Sequence, residues 1–201
     1  MSIYTSRYCG KFRIIDYENA HRVTVKFIKT GFITTCQMID IKRGNVRDYM
    51  APYLFDVGIL GFKPDFDLKK DPDYRKWADM LRRCYYEDAR QYVGCSVAKR
   101  WLNFSLFRKD LASMDHYRED NFSLDEDLLK FGNKVYAPSR CRLIPNELNS
   151  FMAIKPHNYG IRKINRKKNP YLVTITFRGK GKSFACSTEE DGKAIYLNEK
   201  L

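Results

Sequence analysis

The sequence lacks any apolar run approaching the roughly 20 residues that a membrane-spanning helix requires. Its first residues, MSIYTSRYCGKF, also lack the long apolar stretch of a secretory signal peptide. These two absences argue against a membrane or secreted protein. We therefore expect a protein of the cytoplasm that makes no contact with membranes.

Paired cysteines are also missing. None of the six cysteines forms the Cys-x-x-Cys spacing that is typical of zinc sites, so we expect no structural zinc. In a reducing cytoplasm, isolated cysteines usually remain free thiols that fill small gaps in a core. The six are Cys9, Cys36, Cys84, Cys95, Cys141 and Cys186.

Acidic residues are absent from residues 155–182, although the whole chain contains 24 of them beside 37 lysines and arginines. One-sided clustering of this kind favours a polyanionic partner, because each neutralised phosphate releases counterions. A solvated basic surface and a ribosome-like or membrane-facing tail are the alternatives. The nine basic residues of this stretch are Lys155, Arg162, Lys163, Arg166, Lys167, Lys168, Arg178, Lys180 and Lys182.

The chain as a whole predicts an α+β fold in three sections. Residues 1–70 favour a small sheet, with strands at Phe12–Tyr17 and Arg22–Phe27 and a third strand around Ile33–Ile41. Val23, Val25 and Phe27 alternate onto one face, which we expect to be buried. The glycines and prolines of Gly58–Pro72 suggest a linker.

Residues 71–152 change to a helical period. Aromatic and aliphatic residues recur at helical spacing in two stretches between residues 73 and 115, with Asp73 as the first N-cap and Val97 at the start of the second helix. These stripes favour a core. A strand at Phe122–Leu124, a strand at Arg142–Ile144 and a helix beginning at Pro145 follow.

Residues 153–201 favour a sheet again. A strand at Tyr171–Arg178 alternates apolar and polar residues, and the Gly179-Lys180-Gly181 turn leads to a return strand at Ser183–Cys186. Thr188 is placed to cap a final helix.

The strand-strand-helix order in the middle of the chain can hold one divalent cation between the first strand and the helix. The first strand ends in Leu124-Asp125-Glu126-Asp127, and the helix carries Asn146 and Asn149. Carboxylate and amide oxygens are the ligands that Mg²⁺ prefers. Acidic residues after a strand are also commonly a solvated turn, so composition alone leaves both interpretations open.

Longer stretches carry a resemblance to a known family. The run LDEDLLKFGNKVYAPSRCRLIPNELNSF resembles the nuclease core of phage-encoded HNH homing endonuclease-like proteins, whose pattern is roughly LDKDxL followed by GNKxYSPxTCxFVPxxIN. The helical portion of that group resembles WADMLRRCY and GCSVAKRWLNFSLF in this chain. Its N-terminal section resembles YCGKFRIIDY, VTVKFIKTGF and GNVRDYMAPYLFDVGILG. YGIRK, PYLVTITF and FACSTEEDGKAIYL are similar to the three-stranded DNA-binding domain of Apetala-type plant transcription factors, which such phage proteins often carry.

The resemblance implies a phage-encoded ββα-metal nuclease that acts in the host cytoplasm with one Mg²⁺-like ion, Mn²⁺ being the alternative. Asp125 matches the metal-binding aspartate, Asn149 matches the second ligand on the helix, and Asp127 is a further ligand nearby. Asn133 and Tyr136 match the loop that shapes the site. Asp125, Glu126 and Asn149 are then the catalytic residues.

Two positions depart from the family pattern. Glu126 occupies the position where ordinary HNH enzymes have a general-base histidine and the phage group usually has lysine. A glutamate there is compatible with a base, with a third ligand, or with a site that no longer cuts. Tyr136-Ala137-Pro138 replaces the usual Tyr-Ser-Pro.

The C-terminal sheet is the predicted DNA-reading surface, because outward side chains of a three-stranded sheet can contact base edges in the major groove. The expected base-contacting residues are Arg162, Lys163, Arg166, Thr174, Thr176 and Arg178. The expected phosphate-contacting residues are Lys167, Lys168, Lys180 and Lys182. The leading hypothesis is therefore a sequence-preferring endonuclease acting on double-stranded DNA, as a monomer or a homodimer. A catalytically silent DNA-binding protein, such as a repressor, and an RNA- or ribosome-binding protein are the alternatives.

Overall fold

A computed structural model describes residues 2–86, 92–130, 132–152 and 159–200, and its mixture of helices and strands confirms the α+β class. The chain forms two compact units, Met1–Tyr117 with Glu126–Arg142, and Arg118–Asp125 with Leu143–Leu201. This division differs from the three sections suggested by the sequence, because the N-terminal sheet and the helical section share one unit. Among the described residues, no helix is long and apolar enough to cross a bilayer.

The first unit opens with a four-stranded antiparallel sheet. Its strands are β1 (Ile3–Ser6), β2 (Gly10–Asn19), β3 (Arg22–Phe27) and β4 (Ile33–Cys36), in that order across the sheet. Val23, Val25 and Phe27 are buried together on one face, as predicted. The opposite face of the sheet is open to solvent.

The third strand is shorter than predicted. Instead of continuing to Ile41, β4 ends at Cys36 and helix α1 (Met38–Arg43) begins. Gly44 ends this helix in a left-handed conformation with φ of 68°, and its N–H bonds the carbonyls of Asp40 and Ile41. The prediction differs from the structure because Gly44 ends a helix and not a strand.

The segment expected to be a linker is part of the core of the first unit. Leu60 is buried, and a Cβ on Gly58 would lie 2.5 Å from the Leu81 side chain and 2.9 Å from Trp77. The glycine is therefore required by close packing against the next helix, not by chain flexibility.

Helix α2 (Pro72–Tyr85) buries Tyr74, Trp77 and Leu81. Its N-cap is Asp71, whose side chain accepts from the Tyr74 N–H at 2.9 Å, and Pro72 occupies the first turn. The prediction of Asp73 as the cap is wrong by two residues. Proline has no backbone N–H and therefore fits the first helical position, so the helix begins at Pro72 and its cap is Asp71.

The second predicted helix starts later than expected. Residues 96–97 form β5 (Ser96–Val97), which pairs in parallel with β7 (Val135–Tyr136), and a 3-10 turn (Lys99–Leu102) follows. Only Phe104–Leu111 is the α-helix, α3, capped by Asn103. The N–H groups of Ser96 and Ala98 donate to carbonyls of residues 134 and 136, so they are not available to a helix. The aromatic stripe of this segment is core, as predicted.

The second unit contains the strand-strand-helix order that the sequence predicts. β6 (Phe122–Asp125) pairs with β8 (Arg142–Pro145), and helix α4 (Asn146–Met152) follows directly. Pro145 is the last residue of β8, not the first residue of the helix.

The rest of the second unit is a three-stranded antiparallel sheet and a helix. The strands β9 (Ile161–Lys163), β10 (Tyr171–Phe177) and β11 (Lys180–Cys186) lie in the order β11-β10-β9, and α5 (Glu189–Lys200) packs on one face. Thr188 Oγ1 accepts from the Asp191 N–H at 3.0 Å, which confirms the predicted cap. The predicted turn is displaced, since Arg178 and Gly179 form it, both with positive φ.

Candidate functional site

The predicted metal-binding pair lies in the strand-strand-helix segment. Asp125 is the last residue of β6 and is 6% exposed, and Asn149 is half-buried in α4. Both residues belong to the second unit, and α4 packs along β6 within it.

A hydrogen bond shows which faces of β6 and α4 meet. The Ser123 hydroxyl donates to the Asn146 side-chain carbonyl, and the Asn146 N–H donates to the Asn121 carbonyl at 2.7 Å. Residues two apart on a strand share a face, as do residues three apart on a helix. Asp125 and Asn149 therefore lie on the two faces that the Ser123–Asn146 hydrogen bond joins.

The donor chemistry of this pair fits a hard divalent cation. A carboxylate oxygen and an amide oxygen are ligands for Mg²⁺ or Mn²⁺, and neither residue offers the sulfur or imidazole that zinc favours. In the described part of the chain, no group of three or more His, Cys, Asp and Glu side chains is arranged to hold a metal ion. One carboxylate with one amide is not such a group, so the metal site stays a prediction.

Glu126 lies in a different environment from Asp125. It belongs to the first unit, where its carboxylate is near the side chains of Arg83 and Tyr136. The Tyr136 side chain is fully buried, and Arg83 donates to its hydroxyl at 3.3 Å. Burial, together with the Glu126 charge, raises the pKa of Tyr136, so the phenol stays protonated. Glu126 thus lies beside a pair in which Tyr136 is buried and Arg83 is half-buried.

Burial opposes the charge of Arg83, and its neighbours compensate for it. Burial lowers the pKa of Arg83, while the Tyr136 hydrogen bond, the nearby Tyr136 and Tyr92 hydroxyls and, least of these, the Glu126 charge raise it, and the net shift is upward. The Arg83 guanidinium also lies 5.4 Å from the Tyr92 ring centre. The sequence places Arg83 on a polar helix face where it could contact phosphates, but it does not predict this pairing, because Tyr136 and Glu126 are distant in the chain.

Asn133 holds the loop that precedes β7. Its side-chain amide donates to the carbonyl of Glu126 at 2.6 Å and to that of Val135 at 3.0 Å, while Arg140 donates to its carbonyl oxygen at 3.2 Å. These bonds fit the loop-shaping position that the family resemblance assigns to Asn133. Asp127 lies in the same loop and in the first unit.

Replacing Glu126 by glutamine tests whether its charge acts on Arg83 or on a reacting water. We expect Glu126→Gln to lower the free energy of unfolding by about 0.5–1.5 kcal/mol, because it removes one of several groups that compensate the half-buried guanidinium. Chemical unfolding of Glu126→Gln, Arg83→Met and the double variant measures the coupling between the two residues. A loss of cleavage with unchanged stability and additive effects would instead assign Glu126 to general-base chemistry.

The C-terminal sheet separates the predicted DNA contacts onto two faces. Thr174 pairs with Ser183 across β10 and β11, and their hydroxyls are 3.1 Å apart. Leu172 pairs with Arg162, which places Arg162 on the same face as Thr174 and Thr176. This face is opposite to the one covered by α5, and we call it the outer face. Ser183 belongs to it and was missed by the sequence analysis.

Three of the predicted lysines lie on the other face of the sheet, with Val173 and Ile175. Lys163 pairs with Tyr171, while Lys180 and Lys182 pair with Phe177 and Ile175, so all three project toward the helix side. Lys182 is 3.7 Å from Glu199 of α5. If the outer face lies in a groove of DNA, these lysines project from the opposite face of the sheet and do not contact that groove.

Arg178, predicted as the last residue of the strand, instead lies in the β10–β11 turn. Its Nε donates to the Glu147 carboxylate of α4 at 2.8 Å, and both side chains are well exposed. Arg166, Lys167 and Lys168 are exposed in the loop between β9 and β10. Lys155 lies outside the described residues.

Comparisons with protein families, with curated proteins and with solved structures find no match to this chain.

Proposed function

We propose that this chain is a sequence-preferring, double-stranded DNA-binding protein of the phage HNH homing endonuclease type, acting in the host cytoplasm. The outer face of the C-terminal sheet reads base edges, and the loop between β9 and β10 holds phosphates. The strand-strand-helix segment then cleaves the bound duplex with Mg²⁺ or Mn²⁺.

The observation that carries DNA binding is the composition of the outer face. Arg162, Thr174, Thr176 and Ser183 are exposed there, while the apolar face of the same sheet is covered by α5. Hydroxyls and a guanidinium are base-reading groups, and arginine is the commonest reader of guanine. A row of small side chains also lets the sheet approach the floor of a groove closely.

Cleavage is supported by the facing positions of Asp125 and Asn149. Their oxygens would hold the cation, which would stabilise the charge that develops on the leaving oxygen. The buried carboxylate of Asp125 fixes the position of this ligand at the end of β6.

A catalytically silent DNA-binding protein is the second candidate, and Glu126 favours it. The residue at the general-base position, Glu126, interacts with the Arg83 charge and the Tyr136 hydroxyl in the first unit, whereas Asp125 belongs to the second unit. Such a protein would occupy its site without cutting it.

Neighbouring residues of β9 provide a matched test of DNA binding. We expect Arg162→Gln to weaken binding to a duplex selected from a random pool by about 1–3 kcal/mol, because Arg162 lies on the outer face. The variant should also show a weaker sequence preference than the wild type. Lys163→Gln removes the same charge from the helix side and should change affinity by less than a factor of about 3. Fluorescence anisotropy with selected and scrambled duplexes measures both.

The same assay separates the alternatives. Equal effects of the two changes on both duplexes contradict base reading by the outer face. Stronger competition by structured RNA than by duplex DNA supports the RNA-binding alternative. Incubation of supercoiled DNA with and without Mg²⁺ or Mn²⁺ distinguishes the nuclease from the silent binder.

A further inference from the structure

The open face of the N-terminal sheet carries a row of side chains that crosses all four strands. The register pairs Ile3 with Arg13, Arg13 with Lys26, and Lys26 with Ile33. Lys11 lies two residues before Arg13 on β2 and projects from the same face. The two central strands therefore present three cations side by side.

Placing these cations together does not stabilise the sheet. Arg13 and Lys26 are direct cross-strand partners, and like charges directly opposite each other are destabilising. No described carboxylate forms an ion pair with Lys11, Arg13 or Lys26. An anionic partner would offset this like-charge repulsion.

Apolar side chains border the cations. Ile3 is 61% exposed, Ile28 is 55% exposed and Ile33 is 51% exposed. A second copy of this chain on the same face would bring two sets of cations together. A polyanion with apolar surface between its charges fits better, and the sugar-phosphate backbone of DNA has both features.

We propose that this face, formed by Ile3, Lys11, Arg13, Lys26, Ile28 and Ile33, is a second DNA-contacting surface that holds the duplex backbone. The proposal depends on the proposed DNA-binding function and adds a contact in the other unit of the chain. Lys11, Arg13 and Lys26 bind phosphates without reading sequence, and the isoleucines contact the sugars. Two binding surfaces in one chain raise overall affinity, because the second contact forms intramolecularly.

A double variant of the full chain tests the surface. We expect Arg13→Gln with Lys26→Gln to lower the affinity for selected and scrambled duplexes alike. If two phosphate contacts are lost, the loss of affinity is about 30-fold at 0.15 M salt. The slope of log K against log salt should become shallower by about 1.8. Thermal stability should be unchanged or higher, because the change removes a like-charge pair.

Lys69→Gln with Arg75→Gln is the matched control, since both residues are exposed in the same unit and lie outside the sheet. The control should weaken binding by less than a factor of about 3. Acetylation of lysines followed by mass spectrometry gives an independent measurement. Duplex DNA should protect Lys11 and Lys26 and leave Lys69 reactive.

The outcomes are distinguishable. If the wild-type chain does not bind duplex DNA, the proposed function itself fails. If the wild type binds and Arg162→Gln weakens it, but the double variant matches its control and Lys11 stays reactive, the second surface is refuted. Saturable binding to phosphatidylserine vesicles in place of DNA would assign the face to an anionic membrane, and salt-dependent dimerisation would assign it to a second copy.

Discussion

Asp125→Ala should abolish metal-dependent cleavage while the affinity for duplex DNA stays equal or rises. Lewis-acid stabilisation by a metal contributes several kcal/mol to the transition state, so loss of its main ligand should slow cutting on the order of 10³-fold. Binding should not suffer, because removal of a carboxylate also removes its repulsion of phosphate. Single-turnover cleavage in Mg²⁺ and in Mn²⁺, with filter binding in EDTA, measures the two effects separately.

The control for this change is Asp120→Ala, which removes an exposed carboxylate just before β6 in the same unit. It should leave cleavage within a factor of about 3 of the wild-type rate. Asp125→Asn keeps the size of the buried side chain, and its thermal unfolding shows whether the fold is intact. If Asp125→Ala and Asp125→Asn lose binding and stability together with cleavage, Asp125 supports the fold and not the chemistry.

Strong alternation of apolar and polar residues explains why β3 and β10 were predictable. Val23, Val25 and Phe27 in β3, and Val173 and Ile175 in β10, follow the period of two that places apolar side chains on a single face. A continuous pattern of this kind leaves few alternative structures. The alternation of neighbouring residues was therefore enough to predict which face of each strand is buried.

Short elements were not predictable because tertiary hydrogen bonds decide them. The residues of β5 continue the helical spacing of α3 in the sequence, but Ser96 and Val97 pair with β7, about 39 residues later in the chain. Likewise β4 and α1 share an apolar pattern too short to distinguish a strand from a helix.

The candidate site was predictable only in part. The position of Asp125 at a strand end and of Asn149 on the next helix follows from local pattern and resemblance. The partner of Glu126 does not, because Arg83 lies 43 residues earlier and neither residue marks the other in the sequence. Contacts of this kind depend on the packing of α2 against the later loop.

The faces of the C-terminal lysines depend on register, but one signal was present in the sequence. Ile161 is apolar, and Lys163 lies two residues later, so the two share a face of β9. That parity places Lys163 on the core side and Arg162 on the outer side. Assigning Arg162 and Lys163 together to base contacts overlooked this difference.

Neutralising the loop between β9 and β10 should have the largest effect on DNA affinity. Arg166, Lys167 and Lys168 are exposed there and precede the strand that carries Thr174 and Thr176. If each holds one phosphate, replacing all three by glutamine should weaken binding by about 100-fold or more at 0.15 M salt. The slope of log K against log salt should become shallower by about 2.7, for selected and scrambled duplexes alike.

The same sheet supplies the matched control for this triple change. Lys163→Gln, Lys180→Gln and Lys182→Gln together remove an equal charge from the helix side. If DNA binds at the outer face and the adjoining loop, this variant should keep most of its affinity and nearly the whole salt slope. Titrations of both variants at four or five salt concentrations, with circular dichroism to confirm folding, provide the comparison. Equal losses from the two triple variants would mean that net charge alone attracts the DNA, and that Arg162, Thr174, Thr176 and Ser183 do not define where it binds.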